Sequence, residues 1–273
     1  MRYIRKTVTI LFAVTFVIWG ISIFISHKNV DRENPVITSD SDRIQVSVND
    51  DEKKLKKGLK AVDNKDGDIT DQIMIGKQSK FVEKGISNVQ FLVFDSSNNV
   101  GSITKEIEYT DYTSPTFVLT HPLVYTLYDK VTVLDRITAM DCIEGDISDK
   151  MKIVSSDVNE NRPGVYTIGV QVSNKFGDMV SVQLPVNIVE QEEDVPYLVL
   201  DSYYVTVKKG EDFYPGTYLE HATLSDGSEI GRSDISIENY VDTTVEGTYQ
   251  VIFSYLDTVG RKGHTNLIVN VIE

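Results

Sequence analysis

Residues 164–189 read GVYTIGVQVSNKFGDMVSVQLPVNIV. From Gly164 onward the even positions Tyr166, Ile168, Val170 and Val172 are apolar, which is the period of a strand that buries one face. The alternation stops at Asn174–Gly177, where Asn and Gly are the residue types that reverse a chain at least cost. It resumes with Val186 and Ile188. The stretch therefore reads as a β-hairpin.

The same hairpin occurs twice more without a gap. Counting from Gly85 gives Ser87, Val89, Phe91 and Val93; counting from Gly247 gives Tyr249, Val251, Phe253 and Tyr255. Ten residues past the three glycines stand Asp95, Asn174 and Asp257, and thirteen past stand Asn98, Gly177 and Gly260. The second strands follow in register, with Ile107 and Tyr109, Val186 and Ile188, and Val269 and Val271.

Upstream of two hairpins the strings AVDNKDGDIT (61–70) and AMDCIEGDIS (139–148) match at identical spacing. The third copy, ATLSDGSEIG (222–231), keeps Ala222, Gly227 and Ile230 but has Leu224 where the others have Asp63 and Asp141. Each unit opens on a proline in an extended segment, Pro35, Pro115 and Pro196, at intervals of 80 and 81 residues. Thr110–Ser114 and Glu190–Asp194 read as short linkers. Repeats of this length, built from short strands and turns without an amphipathic helix, predict an all-β chain of antiparallel sandwiches.

The pattern A-x-D-x-x-(D/E)-G-D-I-(T/S), followed by a G-x-Y strand that ends near Asp and a G turn, resembles the bacterial Ig-like domain of insecticidal crystal proteins and Gram-positive surface proteins. The second copy fits best, through Gly164, Val165, Tyr166 and the Asn174–Gly177 turn. The first has Ser87 at the tyrosine position and Asn98 at the turn glycine. The resemblance covers residues 34–273 and implies three tandem immunoglobulin-like Greek-key β-sandwiches, serving as spacer, stalk or adhesive module, with no catalytic residue. Tyr166 and Tyr249 stand where a tyrosine corner would pin a loop to the sandwich edge.

Thr7–Ser26, TVTILFAVTFVIWGISIFIS, holds twenty residues without a charge. As a helix rising ~1.5 Å per residue it spans a hydrocarbon core of ~30 Å. Arg2, Arg5 and Lys6 precede it, which by the positive-inside rule keeps the amino terminus in the cytoplasm. No small-x-small cleavage site follows at Ile23–His27, so the helix reads as an uncleaved anchor. The expected order is a cytoplasmic tail (1–6), a transmembrane signal-anchor helix (7–26), a juxtamembrane linker (27–33) and Ig-like domains over 34–110, 111–190 and 191–273.

A net charge of −14 tells against nucleic acid, because phosphate binding needs clustered cations. Cys142 is the single cysteine, so an intrachain disulfide is excluded and the cores must hold the fold. His27, His121, His221 and His264 are scattered without metal-ligand spacing, and no G-x-S-x-G occurs. The sequence is read as a non-enzyme with no cofactor.

The one carboxylate pattern to weigh as a calcium site is Asp63, Asp66 and Asp68 with their counterparts Asp141, Glu144 and Asp146. The preferred reading is structural: the glycines allow a tight turn and the acids cap backbone amides. The acidic linker Glu190, Glu192, Glu193 and Asp194 reads as a solvated spacer, with interdomain calcium as the alternative. Aromatics of the third copy, Tyr203, Phe213, Tyr214 and Tyr218, are candidates for ligand contact, with core packing as the competing role. The function expected is a membrane-anchored bacterial cell-surface protein whose domains act as a stalk or an adhesion and binding module. A non-catalytic accessory subunit of an envelope enzyme or transport complex is the alternative. Its partners would be the membrane and a cell-wall glycan, host protein or envelope protein.

Overall fold

A computed structural model describes residues 2–28, 31–190 and 193–273. The chain divides into two compact units, 1–110 and 111–273. The first begins with helix α1 (Arg2–Lys28), which extends five residues before the uncharged stretch and two residues after it. Within it, Lys6–Ile23 is long and apolar enough to cross a membrane, and none of that window is buried.

The rest of the first unit is a two-sheet sandwich. One sheet takes β1 (Val36–Ser39), which pairs antiparallel with β3 (Leu59–Asp63), and then β4 (Gly67–Asp68). The other takes β2 (Arg43–Val46), β5 (Met74–Glu83), β6 (Ile86–Phe94) and β7 (Val100–Tyr109) in the order β2-β7-β6-β5. The opening strand is thus split: β1 bonds one sheet, and β2 crosses over to run parallel with β7. One turn of helix, α2 (Glu52–Leu55), lies between β2 and β3, where sequence periodicity gives no sign of it. The Asp51 carboxylate accepts the amides of Lys53 and Lys54 and so caps that turn.

The second unit repeats the plan twice. β8 (Thr116–Leu119), β10 (Ile137–Asp141) and β11 (Gly145–Asp146) form one sheet of the second sandwich. β9 (Val124–Thr126), β12 (Lys152–Ser156), β13 (Gly164–Ser173) and β14 (Met179–Val189) form the other, with β9 parallel to β14. In the third sandwich β15 (Tyr197–Leu200) pairs with β17 (Leu219–Thr223). Facing them are β16 (Tyr204–Lys208), β18 (Ser236–Asn239), β19 (Gly247–Leu256) and β20 (Lys262–Ile272), ordered β16-β20-β19-β18.

Every same-facing position read from the hairpins turns inward. Ser87, Val89, Phe91 and Val93 are buried, as are Ile168, Val170 and Val172, and Val251 and Phe253; Tyr166, Tyr249 and Tyr255 are half-buried. They meet Ile37, Leu59 and Ala61 in the first core, Phe117, Leu119 and Ala139 in the second, and Leu198, Leu219 and Ala222 in the third. Removing a Phe91-sized side chain from water stabilises by roughly 1.5–3 kcal/mol, so each core rests on a handful of such residues. The turn position thirteen past each hairpin glycine is left-handed in all three copies, with φ of 65° at Asn98, 84° at Gly177 and 93° at Gly260.

The second and third sandwiches share packing. Ile268 of β20 is fully buried in the second core, with Tyr203 and Tyr204 against it. The Asn266 side-chain oxygen accepts the Leu123 amide at 3.1 Å, and Asn187 donates to Gln250 at 3.2 Å. Burial here pushes the Tyr204 hydroxyl up to about 12.

Candidate functional site: one corner in three versions

In each sandwich the loop that follows the first strand of the hairpin meets the loop that follows the A-x-D strand. Asp63, Asp141 and Leu224 stand at one side of that corner, and Asp95, Asn174 and Asp257 at the other. A carboxylate just past a strand end accepts the amides of the next turn, which is why aspartate recurs there.

In the first sandwich Asp63 Oδ2 accepts the amides of Lys65 at 2.8 Å and Asp66 at 2.9 Å. Asp95 Oδ1 accepts those of Ser97 and Asn99, and its Oδ2 accepts Asn99 Nδ2 at 2.6 Å. The Asn99 amide also donates to the Asp31 carbonyl, which draws the chain before β1 into the corner. Carboxylate oxygens of Asp31, Asp63 and Asp95 lie within 4.8 Å of one another. Asp63 and Asp95 are buried and Asp31 is half-buried. Asp63 Oδ1 is buried with no hydrogen-bond partner.

In the second sandwich Asp141 Oδ1 accepts the amides of Ile143 and Glu144, and Oδ2 accepts Asn174 Nδ2 at 2.9 Å. Asn174 Nδ2 also donates to the Tyr112 hydroxyl, which in turn donates to Asp178 at 2.7 Å. Burial first, then the bond to Asp178, drives the Tyr112 phenol far above its ordinary range, so it stays a donor. In the third sandwich Arg261 Nε donates to Asp257 Oδ2 at 2.7 Å, and its Nη1 lies 3.8 Å from Asp194 Oδ2.

The remaining acids weighed from the sequence are turn formers. Asp66 accepts both the amide and the hydroxyl of Ser96, and these two bonds hold its carboxyl below the usual range. Asp68 and Asp146 do the same with Thr70 and Ser148, chiefly through the side-chain hydroxyls. Glu144 pairs with Lys150. Of the six candidates, Asp63 alone joins the three-carboxylate cluster; Asp141 goes to the amide network. Glu192 of the acidic linker lies outside the described residues, while Asp194 faces Arg261.

The sequence places Asp31 in the juxtamembrane linker and Asp95 at a hairpin turn, and marks neither as a partner of Asp63. A signal was available fourteen residues past the hairpin glycines, where Asn99, Asp178 and Arg261 each differ and each bonds at this corner. Of the third-copy aromatics, Phe213 and Tyr218 lie with ring centroids 5.8 Å apart, half-buried against the third core. Tyr203 packs against the second and third cores, and Tyr214 is 67% exposed.

No family model matches the chain. It is similar to the pesticidal crystal protein Cry22Aa of Bacillus thuringiensis, 27% identical over 222 residues, which is 78% of this chain and 30% of that one. It is likewise 27% identical over 188 residues to an uncharacterized 81.3 kDa protein of Acholeplasma phage L2, covering 67% and 24% of the two chains. The chain thus spans less than a third of the length of these curated relatives. Among solved structures, Drosophila N-cadherin EC1–3 aligns over 89% of this chain and 90% of its own, at 10% identity and a TM-score of 0.32.

Proposed function

We propose that the chain is a membrane-anchored bacterial surface protein whose three Ig-like domains, 34–110, 111–190 and 191–273, serve as a stalk or adhesion module and carry out no reaction. One observation carries this reading: an apolar helix with no buried residue over Lys6–Ile23 stands in the same chain as sandwiches whose apolar faces are closed. An isolated helix of that composition finds its apolar surroundings in a bilayer. Similarity to a crystal protein and a phage protein over two thirds or more of the chain supports a modular role, and the acids that recur with the repeat are engaged in its turns.

The anchor is tested on full-length protein carrying a carboxyl-terminal tag. Retention in membranes through a carbonate wash, with the tag cleaved by protease added to intact cells, is the expected result. Release into the medium at reduced mass would refute it. For ligand contact, the exposed ring of Tyr214 beside the Phe213–Tyr218 pair supports a sugar-stacking patch. Binding on a glycan array that is lost in Tyr214→Ala would support adhesion, and a flat array would leave a plain stalk.

A further inference from the structure

The three sandwiches place a negative corner at the same point, and two of them neutralise it, each in its own way. The third brings its own cation, since the Arg261 guanidinium stands against Asp257 and faces Asp194. The second removes charge, with the Asn174 amide in place of a carboxylate and Tyr112 donating to Asp178. In the first, Asp31, Asp63 and Asp95 converge, and Asn99 contributes an uncharged amide.

Asp63 is the decisive residue. It is 4% exposed, and its Oδ1 meets no donor. Its counterpart Asp141 shows where that oxygen faces, because there one oxygen takes the turn amides and the other is turned to residue 174. In Asp63 the amides take Oδ2, so the orphan Oδ1 is the oxygen turned to Asp95. A buried carboxylate oxygen without a donor, beside two further carboxylates, is a costly arrangement until a positive charge bridges it.

We propose that a single calcium ion binds among Asp31, Asp63 and Asp95 of the first sandwich, at the place that Arg261 fills in the third. The donors are all oxygen, which suits a hard cation. Two oxygens on one calcium at ~2.3–2.6 Å stand at most ~5 Å apart, a limit the cluster meets. The site offers three carboxylates, and water completes the ~6–8 ligands the ion takes. Bound there, the ion fastens residue 31 to the ends of β3 and β6. The inference rests on this corner alone and is independent of the anchor and of any adhesive role.

The test uses the full-length chain in detergent, stripped with chelator and titrated with calcium chloride in a calorimeter, with melting followed in parallel. One calcium per chain and a higher melting temperature with calcium are expected. Asp95→Asn, which installs the residue the second sandwich uses, should abolish both effects while the calcium-free melting temperature holds or rises. Asp31→Asn should weaken binding at least tenfold, and it reads out the same site if Asp95→Asn fails to fold. Asp141→Asn should leave binding unchanged. No heat at millimolar calcium, undiminished binding in Asp95→Asn or Asp31→Asn, or loss of binding in Asp141→Asn would each overturn the assignment.

Discussion

Tyr166 and Tyr249 each sit two residues into the first hairpin strand, half-buried, with the hydroxyl donating to the carbonyl four residues upstream, Arg162 and Val245, at 2.9 Å. The ring fills the sandwich edge while the hydroxyl satisfies a loop carbonyl, so a single side chain fixes how the chain enters the strand. Tyr166→Phe keeps the packing and loses the bond. It should lower stability by about 1 kcal/mol in chemical denaturation. The first sandwich does this job differently: Ser87 stands at the tyrosine position and takes a hydrogen bond from Gln78, whose amide also reaches the Tyr109 hydroxyl. The corner was legible in the second and third copies because a tyrosine marks it. In the first, the substitute comes from residues 78 and 109, which only the folded sheet brings to Ser87.

At the level of elements, the split opening strand depends on a close crossing. A Cβ on Gly101 would stand 2.0 Å from the Pro35 carbonyl oxygen, and one on Gly263 would stand 2.0 Å from that of Pro196. In the first and third sandwiches the last strand therefore has glycine where the opening proline passes over it, while the second has Val180 at that position. Gly263→Ala should force the two strands apart and destabilise the chain by about 1–3 kcal/mol, read as a lowered denaturation midpoint. The hairpins themselves were plain from sequence, since period-two alternation and a left-handed turn at Asn98, Gly177 and Gly260 are local properties. Which sheet β1 and β2 each join was not, because partner choice is set by packing between segments far apart in the chain, Val36 with Val62 for β1 and Arg43 with Glu106 for β2. Helix α2 is illegible in the sequence for the opposite reason: one capped turn is too short to show a period. The cluster of Asp31, Asp63 and Asp95 combines both difficulties, since it joins a linker, a strand end and a hairpin turn.

Across the whole molecule the recurring acids give a common response to pH. Asp66, Asp68, Asp146, Asp226 and Asp242 are all held below the ordinary 3.8 by bonds from a neighbouring serine or threonine. A carboxyl whose folded pKa is depressed stabilises the fold above its unfolded value, and that contribution is lost as pH falls through the folded one. The denaturation midpoint should therefore be flat with respect to these groups above about pH 5 and decline below about pH 4. A midpoint indifferent to acid would show that these bonds contribute nothing net. The lone Cys142 donates to the Thr113 carbonyl at 3.2 Å, and with a single cysteine no intrachain disulfide opposes such unfolding.

The parallel pairing of β2 with β7, β9 with β14 and β16 with β20 has a mechanical meaning. The opening and closing segments of each sandwich lie side by side and point the same way, so tension applied to the two ends of a unit pulls that ladder in shear, with its bonds loaded together rather than one at a time. The ladders differ in length: four residue pairs in the first, three in the second and five in the third. A chain stretched from end to end would find its weakest clasp in the middle.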